Sequence, residues 1–174
     1  MKKKDIWISL VIIAVSGGVL YFYTQRTGYI QLDSGRADAT LDLRSSLFSK
    51  TTVRSSQQPG VVRARIHRPQ HLRLLIDRNK DKYFLLSRGP WGDLARITVK
   101  NNLTTLLRLG PPLRIQPEIR KKGSVVEIDF DIFGQAGEQY EKFVRKNNRA
   151  ITGASIKIFD EAGNVLEKGK FTYG

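Results

Sequence analysis

The chain has 174 residues, enough for one domain with a sizeable core plus an appendage. It contains no cysteine, which excludes disulfides, thiolate metal sites, a cysteine nucleophile and a lipidated N-terminal cysteine. Its net charge of +14 is concentrated: residues 50–122 carry 17 Lys/Arg against four acids (Asp77, Asp81, Asp93, Glu118), and residues 123–174 carry seven against eight.

The N-terminus opens with Lys2, Lys3 and Lys4 and continues with 18 uncharged residues, Ile6–Tyr23. A helix of that length is about 27 Å long, enough to span a hydrocarbon core with little tilt. Trp7 at one end and Tyr21, Phe22 and Tyr23 at the other sit where interfacial anchors belong. The three lysines outnumber Arg26 and Arg36, so the N-terminus is expected to stay cytoplasmic and the remainder to be exported. Residues 1–4 then form a cytoplasmic basic stub, 5–24 a signal-anchor helix and 25–174 an extracytoplasmic (periplasmic) domain on the cytoplasmic membrane. The competing reading is a signal peptide cleaved after Ala14-Val15-Ser16. Against it, the apolar run continues beyond that point and ends in the aromatic cluster.

After residue 27, period-two alternation dominates. In VVRARIH, Val62, Ala64 and Ile66 are expected on one face and Arg63 and Arg65 on the other. In LARITVK, Ile97 and Val99 oppose Arg96, Thr98 and Lys100. In SVVEIDFDIFG, Val126, Ile128, Phe130 and Ile132 oppose Glu127, Asp129 and Asp131. Further strands are expected at Tyr29–Leu32, Thr40–Leu43, His71–Ile76, Tyr83–Ser87, Leu103–Leu109, Leu113–Ile119, Ser155–Phe159 and Val165–Tyr173. Residues 44–60, rich in Ser, Thr and Gln, read as the softest stretch, part-ordered as an edge. Only AGEQYEKFVRKNN predicts a helix, from the spacing of Tyr140, Phe143 and Val144. The expected fold is all-β: an antiparallel β-sandwich, Ig-like or barrel-like, behind one N-terminal transmembrane helix.

The C-terminal ASIKIFDEAGNVLEKGKFTYG, with its Gly-Asn turn and terminal Tyr-Gly, resembles the closing hairpin of uncharacterised exported or membrane-anchored bacterial β-sandwich proteins. The resemblance implies fold and address, and brings no activity with it.

Candidate chemistry is sparse. Asp77, Asn79 and Asp81 alternate like the first ligands of a calcium loop, but Lys82 stands at the sixth position and Arg88 at the twelfth. A hairpin turn between two strands, a degenerate calcium loop at most, accounts for these residues better. His67 and His71 are spaced as a helical zinc pair, yet Pro69 lies between them and no third ligand follows, so edge or turn histidines are expected. Glu127, Asp129 and Asp131 suggest either acid–base carboxylates or a charge ladder paired with bases such as Arg63, Arg65, Arg96 and Lys100. No metal and no cofactor is called for.

Alternation puts Arg63, Arg65, Arg73, Arg96, Lys100 and Arg114 opposite the apolar residues, as an expected positive surface. The bland reading of such charge is a solubilising surface. Few aromatics interleave with these cations, which speaks against nucleic acid. Anionic lipid or an acidic partner protein fits the address better. The expected function is a membrane-anchored, non-catalytic binding or assembly module, such as an accessory subunit of a membrane complex. The alternative is an envelope-polymer hydrolase using Glu127, Asp129 and Asp131.

Overall fold

A computed structural model of the chain describes residues 26–46, 49–55, 58–151 and 155–171. In chain order its strands are β1 (Thr27–Asp33), β2 (Asp38–Ser46), β3 (Ser49–Arg54), β4 (Gly60–Arg63), β5 (Ile66–Arg78), β6 (Asp81–Ser87), β7 (Ile97–Thr98) and β8 (Thr104–Arg108). They continue with β9 (Arg114–Lys122), β10 (Val125–Phe133), β11 (Gln139–Tyr140), β12 (Arg145–Lys146), β13 (Arg149–Ala150), β14 (Ser155–Phe159) and β15 (Val165–Lys170). A single 3-10 turn, Gly92–Ala95, is the only helix among the described residues. The domain is thus nearly all β.

The largest sheet runs β13-β12-β6-β5-β2-β3, with β7 added beside the start of β5. A second sheet is ordered β4-β1-β8 and a third β11-β10-β9, while β14 and β15 form a separate hairpin. Pairing is antiparallel apart from β1–β8, where Ile30 stands opposite Thr105 in a parallel pair. That one pair departs from the purely antiparallel expectation. The intervening strands supply the long crossover that parallel neighbours require.

Alternation drives the packing. Ile30 and Leu32 of β1, Ala39, Leu41 and Leu43 of β2, Leu72 and Leu74 of β5, and Leu85 of β6 turn their side chains into one core. Ile97, Val99, Leu107, Leu109, Phe130, Ile132 and Tyr140 complete it from the other elements. Burial around β7 follows the expected Ile97 and Val99 in, Arg96, Thr98 and Lys100 out. In β10, Phe130 and Ile132 are buried, whereas Val126 is 52% exposed because the β9–β10 hairpin extends past the core. Phe171, just after β15, meets Phe130 edge-to-face with ring centroids 4.8 Å apart.

Four expectations are corrected or sharpened. VVRARIH is not one strand: the chain bends at Ala64-Arg65 and resumes as β5 in the opposite phase. Ile66 is therefore 40% exposed and His67 only 1% exposed. The stretch 44–60 contains β3, an edge strand paired with β2, although residues 47–48 and 56–57 lie outside the described residues.

The predicted helix at AGEQYEKFVRKNN is absent; the segment is β11, β12 and the turn into β13. Asn147 and Asn148 both have positive φ, 49° and 65°, which suits a tight hairpin turn and not a helix. Upstream, the Glu138 side chain is wholly buried. It accepts hydrogen bonds from the Gly110 amide (2.6 Å), the Ala136 amide (2.9 Å) and the Tyr140 hydroxyl (2.7 Å). The buried carboxylate, tied to the distant Gly110 amide, outweighs the helical spacing of Tyr140, Phe143 and Val144. Burial, then the neighbouring Glu138 carboxylate, drives the Tyr140 phenol far above its ordinary pKa, so it stays a donor.

The histidines are neither edge nor turn residues: both lie on β5, the central strand between β2 and β6.

Candidate anionic-surface interface

The first residues of β1 are the organising point. Thr27 pairs with Arg63 across β1–β4, and the Arg26 carbonyl accepts the Ala64 amide at 2.9 Å. On the other side the Asn102 amide donates to the Thr27 carbonyl at 2.8 Å, and Tyr29 donates to the Leu103 carbonyl at 2.9 Å. Gly28 permits this approach, because a Cβ there would run into the Lys100 carbonyl and the Val99 side chain. The Val99 amide then reaches the Arg65 carbonyl at 3.0 Å. Arg63, Arg65 and Lys100, distant in sequence, so converge beside Arg26. Arg96 precedes β7, whose Ile97 pairs with His67 on β5, so β7 separates it from Lys100 and the Thr27 end.

Of the six predicted cations, Arg63, Arg65 and Lys100 are brought together here. Arg63, Arg96 and Lys100 are exposed. Arg65 is half-buried; its Nη2 donates to Ser45 Oγ (2.6 Å) and Ser49 Oγ (3.1 Å). Arg73 lies further along β5, and Arg114 opens β9 with its guanidinium 5.8 Å from the Phe133 ring centre. They are exposed but stand apart from the cluster.

The outer face of the large sheet carries cations that the sequence reading passed over. Register sets Lys50, Arg44 and Arg68 in one row across β3, β2 and β5. The next row is Thr52, Asp42 and His71, and the following one Arg54, Thr40 and Arg73. Adjacent strands are about 4.8 Å apart, so the rows form a compact polar field. Asp42 sits at its centre, its side chain only 7% exposed, with Lys50 and Arg73 each 3.4 Å away. Thr52 Oγ1 donates to Asp42 Oδ1 at 2.7 Å. Burial alone would raise the Asp42 pKa, but the Thr52 hydroxyl, Lys50 and Arg73 outweigh it and hold the carboxyl below its ordinary value. The visible signal was the alternation in TLDLRS and RPQHLR; the register that aligns them was not visible.

The remaining candidates are engaged elsewhere. His67 and His71 point to opposite faces because Gln70 is an extra residue in a bulge, where Asp42 pairs His71 and Leu43 pairs Pro69. His67 Nε2 is 2.8 Å from the Arg63 carbonyl, inside; His71 Nδ1 is 3.9 Å from Asp42, outside. No zinc pair is assembled by them. Asp77, Asn79 and Asp81 form the β5–β6 hairpin, with Asn79 and Lys80 at φ 52° and 69° and Arg78 paired with Asp81. Asp81 bonds Lys146 Nζ at 2.7 Å and Asn147 Nδ2 at 2.9 Å, which lower its pKa. Among the described residues no His/Asp/Glu group is arranged to hold a metal ion.

Glu127, Asp129 and Asp131 line the charged face of the β9–β10 hairpin as a ladder. Their bases are not Arg63, Arg65, Arg96 or Lys100. Lys122 meets Glu127 at 3.2 Å, and Lys142 meets Asp129 at 2.6 Å and Asp131 at 3.7 Å. The Lys142 ammonium, with the Phe130 amide, depresses the Asp129 pKa, so that carboxyl is a poor proton donor near neutrality.

The Ile6–Tyr23 segment and the aromatic residues Trp7, Tyr21, Phe22 and Tyr23 lie outside the described residues. Among the described residues no helix is long and apolar enough to cross a membrane. Compared with known proteins, the chain matches no family model, no curated protein and no solved structure.

Proposed function

We propose that the chain is a single-pass, membrane-anchored, non-catalytic binding or assembly module, with its layered β-sandwich domain on the outer face of the cytoplasmic membrane. One observation carries this reading. The cations Arg26, Arg63 and Lys100 gather around Thr27, four residues after the uncharged Ile6–Tyr23 run. Four residues of extended chain reach at most about 14 Å. The basic end of the domain is thereby tethered within reach of a bilayer surface, where each cation facing anionic headgroups contributes about 1 kcal/mol. Lys2, Lys3 and Lys4 on the far side of the apolar run set the N-in orientation. The carboxylates of β10, held in ion pairs, fit a structural ladder in such a module. Anionic lipid, or an acidic subunit docked at the same surface, is the partner this charge favours.

Protease added to spheroplasts tests the address. The expected result is digestion of residues 27–174 from outside while the protein remains in the membrane fraction. A domain protected until the cells are lysed would reverse the topology, and a soluble product beginning near Gly17 would replace the anchor with a cleaved signal.

A further inference from the structure

We propose that the cleft between the β5–β6 and β9–β10 layers binds a long-chain carboxylate, its alkyl chain between the layers and its head on Arg78. Alternation along β5 sends Leu72, Leu74, Ile76 and Arg78 to one face of the strand, the face that turns to the core. Register carries the same face onto β6, where Leu85 stands opposite Leu74, Tyr83 opposite Ile76 and Asp81 opposite Arg78. The row so passes from buried Leu74 through half-buried Ile76 to an exposed cation at the turn. An arginine ends a row that is otherwise apolar.

The layers part here around a cleft of about 540 Å³. Buried Leu85 and Ile132 form its inner end, and half-buried Ile76, Tyr83, Leu113 and Val144 its sides. Ile115, 66% exposed, stands at the mouth, and Arg78, Asn79 and Asp81 make the polar rim. A cavity of this size, mostly apolar with a few converging polar groups, is the usual form of a small-molecule site. A peptide would bring amide groups that these aliphatic walls cannot pair, at a cost for each one. An alkyl chain brings none.

Charge selects the head group. Asp81 bonds Lys146 Nζ at 2.7 Å and Asn147 Nδ2 at 2.9 Å, so its charge is already answered. Arg78, although opposite Asp81 in register, has no hydrogen bond or ion pair among the described residues. The rim therefore presents one guanidinium in excess, and its planar fork matches a singly charged carboxylate bidentately. A cationic head would meet Arg78 with repulsion. The mouth lies at the end of β5 away from Arg63 and the basic cluster, so the site does not rest on the tethering proposed above.

The experiment is photo-labelling of the full-length protein in nanodiscs of neutral phospholipid, with dodecanoic acid carrying a diazirine near its methyl end. Saturable labelling is expected on peptides that contain residues 76–85, 113–115, 132 or 144, displaced by plain dodecanoate. Dodecanoate should displace the probe about tenfold better than dodecanol, since hydrogen bonds to charged groups are the strong ones. Arg78→Gln should erase that preference by weakening dodecanoate alone. Ile115→Glu, which sets a carboxylate at the mouth, should weaken dodecanoate too, whereas Lys157→Gln on the β14–β15 hairpin should change nothing. Arg78 and Ile115 are exposed, so both variants keep the fold, which an unchanged far-ultraviolet circular dichroism spectrum checks. From octanoate to dodecanoate, affinity should rise about fourfold per methylene. Labelling that never saturates, or that spreads evenly over the chain, would overturn the site. So would dodecanol or dodecyltrimethylammonium competing as well as dodecanoate, or a preference for dodecanoate that survives Arg78→Gln. A chain that proves not to be anchored takes the probe from solution, so failure of the tethering proposal leaves each of these results readable.

Discussion

Arg63 stands directly across from Thr27 in the β1–β4 pair, and on the opposite side of Thr27 its carbonyl takes the Asn102 amide at 2.8 Å. The start of β1 is thus clasped between two basic segments. Exchanging Arg63 and Lys100 for Glu should leave folding stability within about 0.5 kcal/mol, as both side chains are exposed. The effect should appear at the bilayer. Amides of residues 60–65 and 99–103 are expected to exchange more slowly in anionic than in neutral nanodiscs, for the native chain only. High salt should erase the difference, because the Debye length falls from about 10 Å at 0.1 M to about 3 Å at 1 M. Equal protection in the double variant, or in neutral discs, would place the contact on another face.

Glu138 should be among the most sensitive positions in the domain. Its carboxylate accepts from the Gly110 amide, the Ala136 amide and the Tyr140 hydroxyl with no exposure to solvent. Glu138→Ala would strand three donors, two of them buried, each buried one costing about 1–3 kcal/mol if nothing replaces the carboxylate. Gly134 has no room for a Cβ beside that carboxylate, so Gly134→Ala should fail in the same way. Urea unfolding reads both. Tyr140→Phe, which removes one donor together with its need, should cost clearly less than Glu138→Ala; equality would show that the bonds do not act as described.

The pH dependence of stability should have an acid limb from Asp42. Its pKa is lower in the folded chain than when unfolded, since the Thr52 hydroxyl, Lys50 and Arg73 outweigh burial. The folded state therefore binds fewer protons. This stabilisation is fully present above the unfolded value, about 3.9, and is lost as pH falls through the folded one. Asp42→Asn should unfold more easily than the native chain at neutral pH and converge with it in acid. Parallel unfolding midpoints down through pH 3 would mean that Asp42 is not the group responsible.

What could be read from residues alone divides along a physical line. Ile97 and Val99 against Arg96, Thr98 and Lys100 was legible, because a half-buried strand writes its two faces into alternate positions. The VVRARIH strand failed for a related reason: the bend at Ala64-Arg65 changes phase, and nothing in alternation marks it. The row Lys50–Arg44–Arg68 depends on register and on two extra residues, Ser45 and Gln70, which only pairing reveals. Tyr140, Phe143 and Val144 offered a helical period that the bonds of Glu138 and the Asn147–Asn148 turn override. The carboxylates on β10 do pair with bases, but these, Lys122 and Lys142, come from the hairpin's own strand and the loop after β11 and not from Arg63, Arg65, Arg96 or Lys100.

The β5–β6 turn permits the most direct separation of a metal loop from a plain hairpin. Asn79 and Lys80 hold φ of 52° and 69°, the left-handed pair that a two-residue hairpin turn demands. Asn tolerates that region, Gly more so, and a β-branched residue poorly. Asn79→Gly should therefore be nearly neutral, whereas Asn79→Val should destabilise by about 1–3 kcal/mol through backbone strain. Asn79→Gly also deletes one of the three oxygens that a calcium site would use. Asp81 is already bonded to Lys146 and Asn147, and Arg78, Lys80 and Lys82 surround it in sequence, so no divalent cation finds a favourable field. Calcium added during thermal unfolding should leave the midpoint of both the native chain and Asn79→Gly unchanged. A calcium-dependent rise in the native chain that Asn79→Gly abolishes would make the turn a metal site after all.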